Sequence, residues 1–185
     1  REDGKVLALR QLVQRGELKP PVLVFVQSKE RAAQLHGELA FDGLSVGAIH
    51  SDRSAAEREK AVRDFRLGKV WVLICTELLA RGVDFKGVNM VVNYDFPQSV
   101  ESYIHRIGRT GRAGATGEAI SFVAPHEKRL WHAIEVMLGI KKASGKPPGG
   151  KPSKRRRPAK NAGKRPFGKK HSERQSQDRN TKRPG

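Results

Sequence analysis

The stretch His105-Arg-Ile-Gly-Arg-Thr-Gly-Arg112 holds three arginines at i, i+3 and i+6, with two glycines between them and a histidine at the start. A guanidinium keeps its charge at physiological pH and presents a planar fork of donors that matches phosphate oxygens. The octamer therefore suits binding a phosphate, or stabilising one that is being transferred. A basic patch that only meets solvent accounts for the same arginines, but it does not need the intervening glycines. No apolar core absorbs unpaired guanidinium groups, so all three are expected to project from a helix end and the turn after it.

Other reactive side chains read as structure. Cys75 lies in an apolar run and is expected to be a buried small hydrophobe rather than a nucleophile. One cysteine excludes an internal disulfide framework and a multi-cysteine zinc site. His36, His126 and His132 show no second ligand at metal spacing, and no metal site is expected. Trp131 reads as packing rather than as a platform for a base.

The elements that must position these groups alternate between short β-branched runs and helical stretches, as in βαβ units on a parallel sheet. Val6, Leu7, Leu9, Leu12 and Val13 mark one face of an opening helix closed by Gly16 and Pro20-Pro21. Val22–Val26 reads as a strand buried on both faces. Ser28 is placed to cap a helix through Phe41 that Gly43 terminates. A second strand covers Val46–His50, and Ser54-Ala-Ala-Glu57 fits a capping box opening a helix to Leu67 and Gly68. Strands follow at Val70–Cys75 and Met90–Asn93, and Thr76–Asn89 between them is too polar and glycine-punctuated for a simple helix. Ser99 or Ser102 starts a helix through Ile107; Ala119–Val123 is a fifth strand, and Pro125 opens a helix to Leu138. Residues 1–140 should thus form a three-layer α/β domain on a mainly parallel sheet of five or six strands, with ligand-facing loops at the strand C-termini.

Charge divides the chain at the same place. Of 37 basic and 19 acidic residues, net +18, the segment from Lys141 to Gly185 holds 17 basic and 2 acidic, leaving residues 1–140 at 20 against 17. That tail has six Pro, six Gly and one large apolar residue, Phe167. It buries too little surface to offset the entropy of ordering and is expected to be disordered, serving as a targeting segment or as an RNA tether acting by counterion release. No run reaches the ~20 apolar residues of a membrane span, and no secretory signal opens the chain. Cytosol, nucleus or nucleolus is the expected compartment. A start at Arg-Glu-Asp-Gly rather than Met fits a fragment of a longer protein.

The octamer resembles the last helicase motif of the DEAD-box RNA helicases at every position. Val24-Phe-Val-Gln-Ser-Lys29 is similar to the family's fourth motif, His50-Ser-Asp-Arg-Ser-Ala-Ala-Glu-Arg58 to the segment that follows it, Thr76-Glu-Leu-Leu-Ala-Arg-Gly-Val-Asp84 to the fifth motif, and Tyr94-Asp-Phe-Pro97 to the linker before the sixth. The likeness implies a RecA-like fold for the second of the family's two domains. Neither a Gly-x-x-x-x-Gly-Lys-Ser/Thr loop nor an Asp-Glu-Ala-Asp is present, so ATP and Mg2+ would be held mainly by the absent first domain, and this half alone would be inactive.

By the same resemblance Arg109 and Arg112 would be arginine fingers for the γ-phosphate. Asp84, beside Gly82, would accept from a ribose hydroxyl, while His105 and Arg81 would face the first domain. Ser28, Lys29, Arg58 and Thr76 would hold the RNA sugar–phosphate backbone, donors that fix a strand without reading its sequence. Three of these have a plainer reading: Ser28 as helix cap, Thr76 as strand end, Arg58 as surface charge. Ala55, Ser51 and Glu77 replace the family's usual Gln, Gly and Asp. With Trp71 and Val83-Asp-Phe-Lys-Gly-Val they resemble the branch acting on small-subunit pre-ribosomes, which implies pre-rRNA, protein cofactors, and a nuclear or nucleolar address. The rival is a non-catalytic basic RNA-binding or annealing module. A DNA-directed helicase half would share the fold, and the wording of the octamer argues against it.

Overall fold

A computed structural model describes residues 2–85, 87–111 and 116–140; Arg112 and the segment 141–185 lie outside the described residues. The chain order is α1 (Glu2–Gln14), β1 (Val22–Val26), α2 (Lys29–Phe41), β2 (Val46–Ile49), α3 (Ala55–Arg66), β3 (Val72–Thr76), α4 (Glu77–Arg81), β4 (Met90–Asn93), α5 (Val100–Ile107), β5 (Glu118–Ser121), a 3-10 turn (Pro125–Glu127) and α6 (Lys128–Met137). Five strands form one sheet in the order β2-β3-β1-β4-β5. Every pairing is parallel, with Val24 of β1 level with Ile74 and Val92. The expected mainly parallel sheet is wholly parallel among the described residues, and five-stranded rather than six.

The two-residue period of the strands builds the layers. Val22, Val24, Val26, Val72, Ile74 and Val92 pack with Val6 and Leu9 of α1 and Leu35 and Leu39 of α2. Their neighbours Leu23, Phe25, Leu73, Cys75 and Val91 pack with Val62 and Phe65 of α3, Ala80 of α4, and Phe85. Leu7, expected on the buried face of α1, is 56% exposed, because a step of about 100° turns it away from the stripe of Val6 and Leu9. Trp131, partly buried, packs edge-on against Phe96 and Tyr103.

Local chemistry sets the element ends. Ser54 and Glu57 close the capping box of α3 in both directions, at 2.8 and 3.2 Å. Gly68 ends that helix at a φ of 73°, where a side chain would be strained. Ser99, not Ser102, caps α5, its Oγ accepting from the Ser102 amide. The stretch expected to lack a simple helix contains the short α4, opened by Thr76 without a side-chain capping bond.

Candidate functional site

All five strands point the same way, so the loops after β1, β2, β3 and β4 open on one edge of the sheet, where α/β proteins place ligands. Ser28, Lys29 and Thr76 lie there, at the ends of β1 and β3. Ser28 accepts from the Arg31 amide at 3.2 Å and caps α2, and Lys29, the first residue of that helix, pairs with Asp52 after β2 at 2.9 Å. Thr76 is level with Val26 at the end of β3. It lines a recess of about 230 Å3 with Gln27, Gln98 and Ser102.

Arg109 is half-buried, and its Nη1 donates to the Val83 carbonyl at 3.2 Å, one residue before Asp84. His105, Arg81 and Arg109 line one small hollow of about 10 Å3. Gly82 and Asp84 line a larger groove of about 560 Å3 between α3 and α4, and Arg58, Arg63 and Arg66 line the same groove. The geometry thus puts Arg58 with Gly82 and Asp84, apart from the recess at Thr76. Arg66 Nη2 donates to the Asp84 carbonyl and ties this segment to α3. A cavity of about 310 Å3 between α1 and α2, lined by Val6, Arg10 and Glu38, contains none of the predicted residues.

The turn that carries the octamer is stapled in place. Thr110 Oγ1 donates to the Val88 carbonyl at 2.6 Å, beside a parallel bridge between the two residues. A Cβ on Gly117 would meet the Gly111 nitrogen at 2.4 Å, so the following strand passes this turn at glycine-only distance.

Arg106 departs from the expectation that all three arginines project. It is 4% exposed, and its guanidinium lies 5.1 Å from the Phe25 ring centroid. Nε and Nη2 donate to Glu77 Oε2 at 3.2 and 3.1 Å, and Nη1 to the Asp95 carbonyl at 2.7 Å and to Asn93 at 3.4 Å. The other carboxylate oxygen, Oε1, accepts from Ser102 Oγ at 2.7 Å and from Arg81 at 2.8 Å. Burial alone would raise the Glu77 pKa, but the hydrogen bonds from Ser102 and Arg106 hold it below its ordinary value. Burial lowers the Arg106 pKa, and Glu77 offsets part of that; a guanidinium remains protonated throughout.

Asp95, 4% exposed, continues the network, accepting from Lys5 at 2.8 Å and the Gln27 amide at 2.9 Å. The helical period carried a signal for Arg106, since it falls on the same side of α5 as Tyr103 and Ile107. Nothing local pointed to Glu77, 29 positions away. Burial pushes the Cys75 thiol pKa up, which leaves it inert as a nucleophile. Among the described residues no three His, Cys, Asp or Glu side chains converge as metal ligands, and no helix is long and apolar enough to cross a membrane.

The family model for the helicase conserved C-terminal domain matches residues 4–114. The chain is 58% identical over 133 residues to the probable ATP-dependent RNA helicase DDX52 of Mus musculus, covering 72% of this chain and 22% of that protein. It is 53% identical over 144 residues to the ATP-dependent RNA helicase ROK1 of Meyerozyma guilliermondii, covering 78% and 26%. The chain spans about a quarter of the length of these relatives. Among solved structures, the C-terminal domain of the DEAD-box protein Dbp5 superposes with a TM-score of 0.66 at 39% identity, over 75% of this chain and 80% of that one. Dbp5 of S. cerevisiae bound to RNA and ADP BeF3 superposes with a TM-score of 0.68 at 40% identity, over 77% and 38%.

Proposed function

We propose, from the premise that this chain belongs to the DEAD-box branch of the helicase conserved C-terminal domain family, that residues 1–140 are the second RecA-like half of an ATP-dependent RNA helicase. The observation that carries this is the docking of Arg109 on the Val83 carbonyl, one residue from Asp84, beside a hollow shared with Arg81 and His105. A finger, a ribose acceptor and two groups that face a partner domain are thereby linked through Arg109.

ATP would lie between these residues and the first domain. Arg109 and Arg112 reach the γ-phosphate, where charge redistributes as the bond to the β-phosphate breaks. Asp84 accepts from the ribose, while His105 and Arg81 meet the first domain. Ser28, Lys29, Arg58 and Thr76 donate to the RNA backbone. Closure of the two domains on RNA bends one strand out of a duplex, and loss of phosphate reopens them. Mg2+ would be held mainly by the first domain. Without a phosphate loop the fragment is inactive alone.

Dbp5, which is similar over this domain, has been captured with RNA and ADP BeF3, which supports both ligands for this chain. Pre-rRNA as the RNA, a role in ribosome biogenesis and a nucleolar address rest on the likeness of Ser51, Trp71 and Glu77 to that branch. Residues 141–185 act as a basic accessory tail.

In the full-length protein, Arg109→Ala or Arg112→Ala is expected to lower RNA-stimulated ATP turnover by ~10³-fold or more while RNA binding persists. Wild-type turnover in either variant overturns the finger assignment. Removing residues 141–185 should spare the ATPase and cost salt-sensitive RNA affinity. Turnover by the isolated chain would show that a two-domain requirement is wrong.

A further inference from the structure

We infer that Glu77 is a positioning residue that couples the RNA-contacting end of β3 to the arginine that meets the nucleotide, an inference that rests on the function proposed above. Thr76, the proposed backbone donor, and Glu77 are consecutive, so any displacement of the strand end on RNA binding reaches the Glu77 backbone directly. The Thr76 hydroxyl makes no capping bond to α4 and is free to donate outward. The Glu77 carboxylate is filled from three sides, by Ser102 and Arg81 on Oε1 and twice by Arg106 on Oε2. A carboxylate accepts about four hydrogen bonds, so each oxygen is committed and the carboxylate cannot rotate without breaking the set.

Arg106 is equally fixed. Held by Glu77, Asn93 and the Asp95 carbonyl, it anchors the end of α5, and the Arg109 amide donates to the Arg106 carbonyl at 3.2 Å. Thr76, Glu77, Arg106 and Arg109 therefore form one contiguous chain of covalent and hydrogen-bonded links. A second link, from Arg109 to the Val83 carbonyl, returns to the segment just after α4. Movement of α4 reaches the finger through both, and only the first depends on the charge of Glu77.

The test uses the full-length protein and compares wild type with Glu77→Gln, which keeps the shape and removes the charge. Turnover at saturating RNA is expected to fall about tenfold, with unstimulated turnover and the KM for ATP within about threefold of wild type. Ser102→Ala, which removes one neutral bond to the same carboxylate, should cost about threefold in stimulated turnover. It serves as the readout should Glu77→Gln unfold. Unchanged stimulation in Glu77→Gln, or in Ser102→Ala where that is the readout, overturns the inference. An equal fall in stimulated and unstimulated rates also overturns it, by showing a merely structural role. A wild-type protein without RNA-stimulated turnover would instead remove the proposed function and this inference with it.

Discussion

In the clasp between α4 and α5, Arg106 is 4% exposed and meets a carboxylate, an amide and a main-chain carbonyl. In the groove between α3 and α4, Arg58, Arg63 and Arg66 line about 560 Å3 of open space beside Asp84. The same side chain thus does two different things a few residues apart in the fold. Arginine surrounded by protein acceptors spends its donors internally and fixes two helices to one another. Around open space Arg58 and Arg63 keep donors for an anion that arrives from outside, while Arg66 spends one on the Asp84 carbonyl. Arg109 sits between these extremes, half-buried, with one donor on a main-chain carbonyl.

The contrast breaks most visibly by removing charge from each side. Arg106→Met leaves the half-buried Glu77 with Ser102 and Arg81 alone, and losing the charged hydrogen bonds from Arg106 is expected to cost about 1.5–3 kcal/mol. Chemical denaturation of the isolated chain measures it. Arg63→Ala in the groove should stay within about 0.5 kcal/mol of wild type; equal losses in the two variants would erase the distinction.

A methyl group on Gly117 tests whether the octamer turn is held by close approach. Gly117→Ala should destabilise by about 1–3 kcal/mol through overpacking against Thr110 and Gly111, and should also slow RNA-stimulated turnover, because Arg109 shares that turn. Ser102→Ala removes a single bond to Glu77 and is expected to cost about 1 kcal/mol, read by thermal unfolding.

The smallest effect is the pH dependence of the clasp. The Glu77 carboxyl lies below its ordinary 4.5 when folded, so its contribution is complete above that pH and is lost as pH falls through the lowered value. Denaturation midpoints between pH 3 and 6 should show a slope that flattens in Glu77→Gln. A parallel slope in the variant would assign the acid sensitivity to other carboxylates.

Sequence carried the regular parts of this molecule well, since β-branched runs, the Ser54 capping box and Gly68 act over a few neighbours. The grouping of Arg109 with Asp84 followed only through resemblance, as 25 residues separate them. Leu7 and Arg106 mislead for one reason: residue type suggests a side, and the helix turns the residue to the other. Arg106 is stable inside because acceptors arrive from two distant segments at once, Glu77 and Asn93–Asp95, and a one-dimensional pattern cannot display that coincidence. The short α4 is hidden in the sequence because the glycines and polar residues of Thr76–Asn89 mask a single helical turn, which is held by the bonds of Glu77 to α5.

Arg106, Arg109, Thr110 and Arg66 share a habit: each has a bond to a main-chain carbonyl, of Asp95, Val83, Val88 and Asp84 respectively. A carbonyl is supplied by any amino acid. In a mutational scan, the donating positions should therefore be intolerant, while Val83 and Val88 accept any apolar residue that fits the core. Docking on backbone releases half of each contact from selection, so the receiving segments can drift in sequence while the donors stay fixed.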